Sequence, residues 1–471
     1  MKPSFYNYTT SLPDSTFLLF NFYTLKLVPF NSLEAPIVKK ILKNPLSRIK
    51  NKRAAEIKKL LAKEGFLLKN NISEIDYLNN DYYQSRNQTN RLGLTILPSL
   101  ECNFNCIYCY EKKEKGKMTP EVESALIQFV KQQLEHITKD GSFSVTWFGG
   151  EPLLQMDIIK RLSNSFIKMA EEKEIKYSAH MITNGYLLTK VNIERLKQLK
   201  INRVQITLDG PQKTHDQRRC LVNGGKTFKK IFKNIKNAAG QINITLRINV
   251  DETNRENIQE LLDLLNKEGL ENLVYPYLGQ TYPYTEACAD IAGNCLSDEE
   301  FSLLEIETQM KLIQKGFSSY QIPQARNVFC LAGNNSAFVV TPSGGIVNCW
   351  NDVSNTQAEI GHLLKPATKL MRENAQKWQG RDVFKTECTE CLLLPICMGG
   401  CPYLHLTSGN LNCHKWKSCP SENLAFYYYI KRVQQDGEII KEFQDIVGAV
   451  KKLKNTSQCK KGRGRPTSTC G

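Results

Sequence analysis

The sequence predicts an α/β chain built on a partial (β/α)6 barrel, and three observations carry that prediction. Short apolar, β-branched runs recur at LTILPSL (94–100), SVTWF (144–148), SAHMIT (178–183), RVQITL (203–208), ITLRINV (244–250) and NLVYPYL (272–278). Helical stretches fill the intervals between them, and strands alternating with helices argue for a parallel sheet. The first run leads straight into a cysteine loop, and chemistry in such barrels sits at the C-terminal strand ends.

The first two elements show how the pattern is read. LTILPSL is apolar through its length, as a strand buried on both faces should be. After the cysteine loop, Thr119 is placed to cap a helix with Pro120 in its first turn; Val122, Leu126, Phe129, Val130 and Leu134 then fall on one face.

The N-terminal stretch FLLFNFYTLKLV reads as two short strands joined at Asn21, followed by basic helical segments from about 33 to 64. Small strands followed by helices make a winged-helix-like module over 1–90. The polar connector NNDYYQSRNQTNR leads into the barrel, expected over 91–320. A cysteine-rich region is expected over 321–430, and a helix with a basic tail over 431–471.

Composition bounds the function. The chain has 471 residues, more than one domain's usual length. No run reaches the roughly 20 apolar residues of a membrane span, and MKPSFYNYTTSLPDS is too polar for a signal peptide, so the expectation is a cytoplasmic protein without a membrane partner. The net charge of +16 is local. Residues 39–64 carry +8 and residues 450–471 carry +7, which leaves the rest nearly neutral and a nucleic-acid partner unsupported by the catalytic body. Arg463-Gly464-Arg465-Pro466 in the tail is similar to a minor-groove-binding core, but a solvated tail explains it as well.

Sixteen cysteines in a chain of this size point to metal rather than disulfides. Three of them, Cys102, Cys106 and Cys109, form Cx3Cx2C. Three thiolates suit three irons of a cubane and leave the fourth iron open. A structural zinc would want a fourth protein ligand, and none is near in sequence. After the second predicted strand comes Phe148-Gly149-Gly150-Glu151-Pro152, where two glycines permit close backbone approach and Glu151 offers an acceptor.

With Tyr108 just before its last cysteine, the loop resembles the signature of radical S-adenosylmethionine (radical SAM) enzymes. The resemblance implies a [4Fe-4S] cluster on Cys102, Cys106 and Cys109, with Tyr108 near the adenine of SAM and Gly149, Gly150 and Glu151 at its amino group. By the same resemblance Thr183 contributes a hydroxyl and Arg219 meets the carboxylate, with Arg247 and Asn249 as further candidates. A flavodoxin- or ferredoxin-type protein is the implied electron donor.

Downstream, Cys330 is followed after thirteen residues by Gly344 and after four more by Cys349. Cys388-x2-Cys391-x5-Cys397-x3-Cys401 comes next, then Cys413 and Cys419. This resembles the SPASM domain, which implies two auxiliary [4Fe-4S] clusters. Cys330, Cys349 and Cys401 would hold the first, and Cys388, Cys391 and Cys397 the second, closed by Cys413 or Cys419. A zinc ribbon is the alternative for such spacing taken alone.

SPASM enzymes mostly act on peptides or proteins. With the N-terminal module, the chain is similar to maturases of ribosomally made peptides whose leader is bound by such a module, and a thioether or carbon–carbon link in a precursor peptide is the implied product. The rival is an anaerobic sulfatase-maturating enzyme, which places an acidic base directly after the cysteine equivalent to Cys349. Here that residue is Trp350, and the nearest carboxylate is Asp352.

Overall fold

The computed structural model describes residues 1–48, 51–318 and 322–436, so the basic tail with Arg463, Arg465, Cys459 and Cys470 lies outside the described residues. Two compact units emerge. The first gathers 1–74, 322–325 and the chain from 415; the second gathers 75–321 and 326–414.

The first unit opens with β1 (Lys2–Pro3), β2 (Asn7–Ser11), β3 (Phe17–Asn21) and β4 (Leu27–Phe30). Helices α1 (Ala35–Lys43) and α2 (Lys52–Lys63) follow, then β5 (Leu67–Leu68), which pairs with β1. Strands β2, β3 and β4 make an antiparallel sheet. Asn21 ends β3 as expected, because its side-chain oxygen accepts from the N–H groups of Tyr23 and Thr24 and folds the turn. Asn51 caps α2 in the same manner, accepting from Arg53 and Ala54. Helix α3 (Glu74–Arg86) crosses from this unit into the next.

In the second unit β6 (Arg91–Ile96) leads through the cysteine loop, which contains a short β7 (Phe104–Cys106), to α4 (Pro120–Leu134). Thereafter come β8 (Ser142–Trp147), α5 (Met156–Glu172), β9 (Lys176–Thr183), α6 (Lys190–Gln198), β10 (Ile201–Thr207) and α7 (Gln212–Arg218). The run ends with β11 (Arg219–Leu221), α8 (Phe228–Ala238), β12 (Asn243–Val250), α9 (Ile258–Lys267), β13 (Val274–Gln280) and α10 (Asp298–Gln314). All six expected strands are present and parallel, in the order β13-β12-β10-β9-β8-β6. This is the α/β fold with a large, mostly parallel sheet that the pattern predicts.

Thr119 accepts from the Val122 N–H and α4 turns Val122, Leu126, Val130 and Leu134 into the core, so the capping reading holds. The first strand runs 91–96 rather than 94–100, since Pro98 has no N–H to continue a ladder. One addition was not legible. The cysteine-rich part supplies β14 (Ala337–Val340), which pairs parallel to β6, then β15 (Gly345–Val347) and β16 (Gly361–His362), taking the sheet to nine strands among the described residues. The core between sheet and helices is mostly apolar, centred on Trp147, Phe143, Phe166, Ile206 and Leu246. Among the described residues no helix is long and apolar enough to cross a membrane.

Candidate radical site and the downstream cysteines

Strands β6, β8, β9, β10 and β12 all finish at one end of the sheet, where their following loops meet. There β7 pairs antiparallel with β11, placing Cys106 opposite Arg219. That ribbon was not expected from sequence, and it is what carries Arg219 to the cysteine loop.

Tyr108 lies at the centre of a buried polar network. Its hydroxyl donates to Asp209 Oδ2 at 2.5 Å and accepts from Arg219 Nη1 at 2.6 Å and Asn249 Nδ2 at 3.0 Å. Asp209, fully buried, also accepts from the Asn249 N–H at 3.1 Å and pairs with Arg218 at 3.5 Å. Arg218 in turn meets Asp251 at 2.8 Å, and Arg247 Nε reaches Asn249 Oδ1 at 2.6 Å. Each buried charge therefore has an opposite partner or hydrogen bond, the condition for tolerating it away from water. Asp209, Arg218 and Asp251 carry roles not assigned from sequence. A signal existed in the period-two spacing of Arg247, Asn249 and Asp251, which puts all three on one side of β12 as it leaves the sheet.

Glu151 is fully buried and accepts three hydrogen bonds. Its Oε1 accepts from the Thr183 hydroxyl at 2.7 Å and the Leu153 N–H at 3.0 Å, and its Oε2 from the Asn184 N–H at 2.7 Å. Burial raises its pKa, opposed by those three donors. The structure thus joins two sequence candidates, Glu151 and Thr183, as a clamp between successive loops. Gly149, at φ +115°, and Gly150 also act within the chain. A Cβ on them would lie 2.4 Å from the Ser99 carbonyl oxygen and 2.3 Å from that of Glu101, so only glycine lets this segment run against the entry to the cysteine loop.

Burial pushes the thiol of Cys102 up to about 12 and that of Cys109 to about 11, and raises Cys106 as well, although the Arg219 guanidinium opposes the last. Thiols so desolvated stay protonated unless a cation replaces the proton. The donor set fits a three-thiolate iron–sulfur cubane: three cysteines on one loop, with Arg219 Nε beside them buried and without a hydrogen-bond partner.

The downstream cysteines are gathered by turns. Gly344, at φ +91°, makes the hairpin between β14 and β15 and so sets Cys349 just past the sheet. Cys349 lies near enough to Cys330 and Cys401 for each of their thiolates to raise its pKa, after the larger effect of burial. Met398, Gly399 and Gly400 are all left-handed, coiling the chain between Cys397 and Cys401. Gly400 runs so close to Asn412 that a Cβ would sit 1.9 Å from its carbonyl oxygen, which brings Cys413 beside this turn. Cys388 feels both Cys391 and Cys413, and Cys397 feels Cys388 and Cys413. Cys419 belongs to the first unit, where it is buried and its carbonyl accepts from Asn423 at 2.7 Å.

A parallel sheet whose strand ends present a Cx3Cx2C loop and a buried network around it is the arrangement expected of the radical SAM class. Residues 96–265 match the family model described as the radical SAM superfamily, so this stretch carries a radical SAM domain, for which SAM and a [4Fe-4S] cluster are implied. It is similar to the radical SAM cyclopropyl synthase TigE of Paramaledivibacter caminithermalis, 27% identical over 41% of this chain and 43% of that one, so it spans less than half the length of that relative. It also resembles the cysteine-type anaerobic sulfatase-maturating enzyme of Clostridium novyi, 24% identical over 72% of this chain and 97% of that one. Among solved structures, Streptococcus suis SuiB bound to precursor peptide SuiA shares the fold with a TM-score of 0.50 and 16% identity, covering 85% of this chain and 95% of that one.

Proposed function

We propose that this chain is a maturase of ribosomally made precursor peptides, one that installs a thioether or carbon–carbon link. The observation that carries this reading is the N-terminal unit, a small antiparallel sheet followed by two basic helices, which precedes the radical SAM sheet in the sequence. A relative that makes cyclopropyl groups and a fold neighbour solved with a precursor peptide support it.

In this reading Cys102, Cys106 and Cys109 hold a [4Fe-4S] cluster, and that cluster with SAM supplies a 5′-deoxyadenosyl radical able to take hydrogen from an unactivated carbon. The chain's own residues position and enclose. Arg219 keeps Nε for a carboxylate while its Nη1 is held by Tyr108, and Asp209 fixes Tyr108 in turn. Glu151 holds Thr183 and Asn184 in place, and the burial of these groups keeps out water that would quench a radical. Cys330, Cys349 and Cys401 are proposed to hold one auxiliary cluster. Cys388, Cys391 and Cys397, closed by Cys413 rather than Cys419, are proposed to hold the other. A flavodoxin- or ferredoxin-type protein is the proposed electron donor.

The test is anaerobic reconstitution, then mass spectrometry of short precursor-like peptides encoded beside the gene. Loss of two hydrogens from a core residue, dependent on SAM, supports the maturase; no change in any such peptide, with deoxyadenosine still formed, argues against it. A second reading, formylglycine formation in a sulfatase, draws on Asp352. This carboxyl is buried, its pKa is pushed up to about 6 by burial, and it lies three residues past Cys349. Conversion of a sulfatase peptide's cysteine or serine to formylglycine would select that reading instead.

A further inference from the structure

Two arginines of the second unit are buried with no acid beside them. Arg86, at the end of α3, is 6% exposed, and Arg381, just past α11 (Lys369–Gly380), is 9% exposed. Every hydrogen-bond partner they have is neutral. Arg86 donates from Nη1 to the Tyr82 hydroxyl at 3.0 Å and to the Arg381 carbonyl, and from Nη2 to the carbonyls of Trp378 and Gln379, both at 2.7 Å. Arg381 donates from Nη2 to the carbonyls of Gly399 at 2.9 Å and Gly400 at 3.5 Å, and from Nε to His405 Nδ1 at 3.2 Å.

Bonds to carbonyls satisfy the donors but not the charge, and a guanidinium keeps its proton inside a protein. A buried cation is tolerated where an anion lies near it. Arg218 meets that need with Asp209 and Asp251. Among the described residues no carboxylate lies within ion-pair distance of Arg86 or Arg381. The adjacent acid, Asp382, is engaged elsewhere: its Oδ2 accepts from the Tyr83 hydroxyl at 2.7 Å and lies 3.8 Å from Lys385 Nζ.

What does lie near Arg381 is sulfur. The glycine carbonyls it holds belong to the left-handed turn between Cys397 and Cys401. Burial lowers the Arg381 pKa, and Tyr82 and the thiolates of Cys388 and Cys330 oppose that effect. In return, Arg381 opposes the rise that burial imposes on each of those two thiols. Cys330 belongs to one proposed cluster and Cys388 to the other, so one guanidinium faces both sets.

We infer that Arg381, backed by Arg86, is the counter-charge of the anionic clusters proposed on the downstream cysteines and raises their reduction potentials. This rests on the two-cluster reading above and goes beyond it. A cubane on thiolates gains a further negative charge when it takes up an electron, with no bond made or broken, so a fixed cation beside it favours the reduced form. Burial strengthens the effect, because water screens the charges less.

The test is a redox titration of the reconstituted full-length enzyme followed by electron paramagnetic resonance, with dithionite supplying the electrons. The signal that responds to added SAM marks the cluster of the first loop and serves as an internal reference. Arg381→Gln keeps an amide donor for the glycine carbonyls and removes the charge. It should move at least one downstream potential in the negative direction, with iron content and the SAM-responsive potential unchanged. Arg381→Lys keeps the charge and should stay close to wild type. Should Arg381→Gln lose iron, Arg86→Gln leaves the Arg381 side chain in place and should shift the same potentials negatively by a smaller amount. Unchanged downstream potentials in a variant that retains its iron overturn the inference and leave the two-cluster reading standing. An equal shift in Arg381→Lys and Arg381→Gln also overturns it, since hydrogen-bond geometry rather than charge would then set the potential. Iron lost from both Gln variants makes the arginines structural and overturns it too. Wild-type iron near about four atoms per chain, with zinc bound, sinks the two-cluster reading and the inference together.

Discussion

The two cysteine regions reach their arrangement by opposite means. Cys102, Cys106 and Cys109 lie on one loop at the end of β6, and their surroundings are set by strand ends and a hydrogen-bonded network around Tyr108 and Asp209. The cysteines from Cys330 to Cys413 come from turns, and backbone in the left-handed region at Gly344 and Met398–Gly400 brings them together. The first region therefore depends on side-chain chemistry and the second on backbone conformation. Substitutions should separate the two.

The largest effect is expected at the first loop. Changing Cys102, Cys106 and Cys109 to Ala should remove about four of about twelve iron atoms per chain and abolish deoxyadenosine formation, as read by iron assay and chromatography. Changing Cys388 and Cys391 should remove a similar amount of iron yet leave SAM cleavage in place. Cys413→Ala should resemble Cys388→Ala in iron content, while Cys419→Ala should keep the full complement. If the downstream variants abolish cleavage, the two regions are not separable.

Next comes the backbone. Gly400→Ala forces a Cβ against the Asn412 carbonyl at a left-handed residue, and should cost about 2–4 kcal/mol by thermal denaturation, with iron lost from the downstream region alone. Stability within ~0.5 kcal/mol of wild type would break the contrast.

A pH effect should distinguish the first region. His215 is fully buried, its ring 5.7 Å from Phe228 and its Nδ1 accepting from the Asp209 N–H at 3.3 Å. Burial holds its pKa well below the usual histidine value, with Arg219 and Arg218 adding to the effect. Below about pH 6.5 the unfolded chain takes up a proton that the folded chain refuses, so stability falls on acidification by up to ~1.4 kcal/mol per pH unit. His215→Gln should flatten that slope in denaturation measured between about pH 7.5 and 5.5, whereas an unchanged slope would show that His215 does not set it.

The smallest effect lies beside the first loop. Thr119→Ala removes the cap of α4 and should cost about 1 kcal/mol, without change in iron content.

The sequence by itself determined the six parallel strands, because period and apolar runs act locally, and the cap at Thr119 and turn at Asn21 for the same reason. It also determined the cysteine loop, whose three thiols are close in the chain wherever the strand goes. Only the tertiary structure decided what surrounds them. Arg219 reaches Tyr108 because β11 pairs with β7, and Glu151 closes on Thr183 because two loops finish side by side. Cys413 comes beside Cys397 because Gly400 lets two backbones touch. Each of these joins residues far apart in the chain, and spacing along the chain carries no record of such pairings.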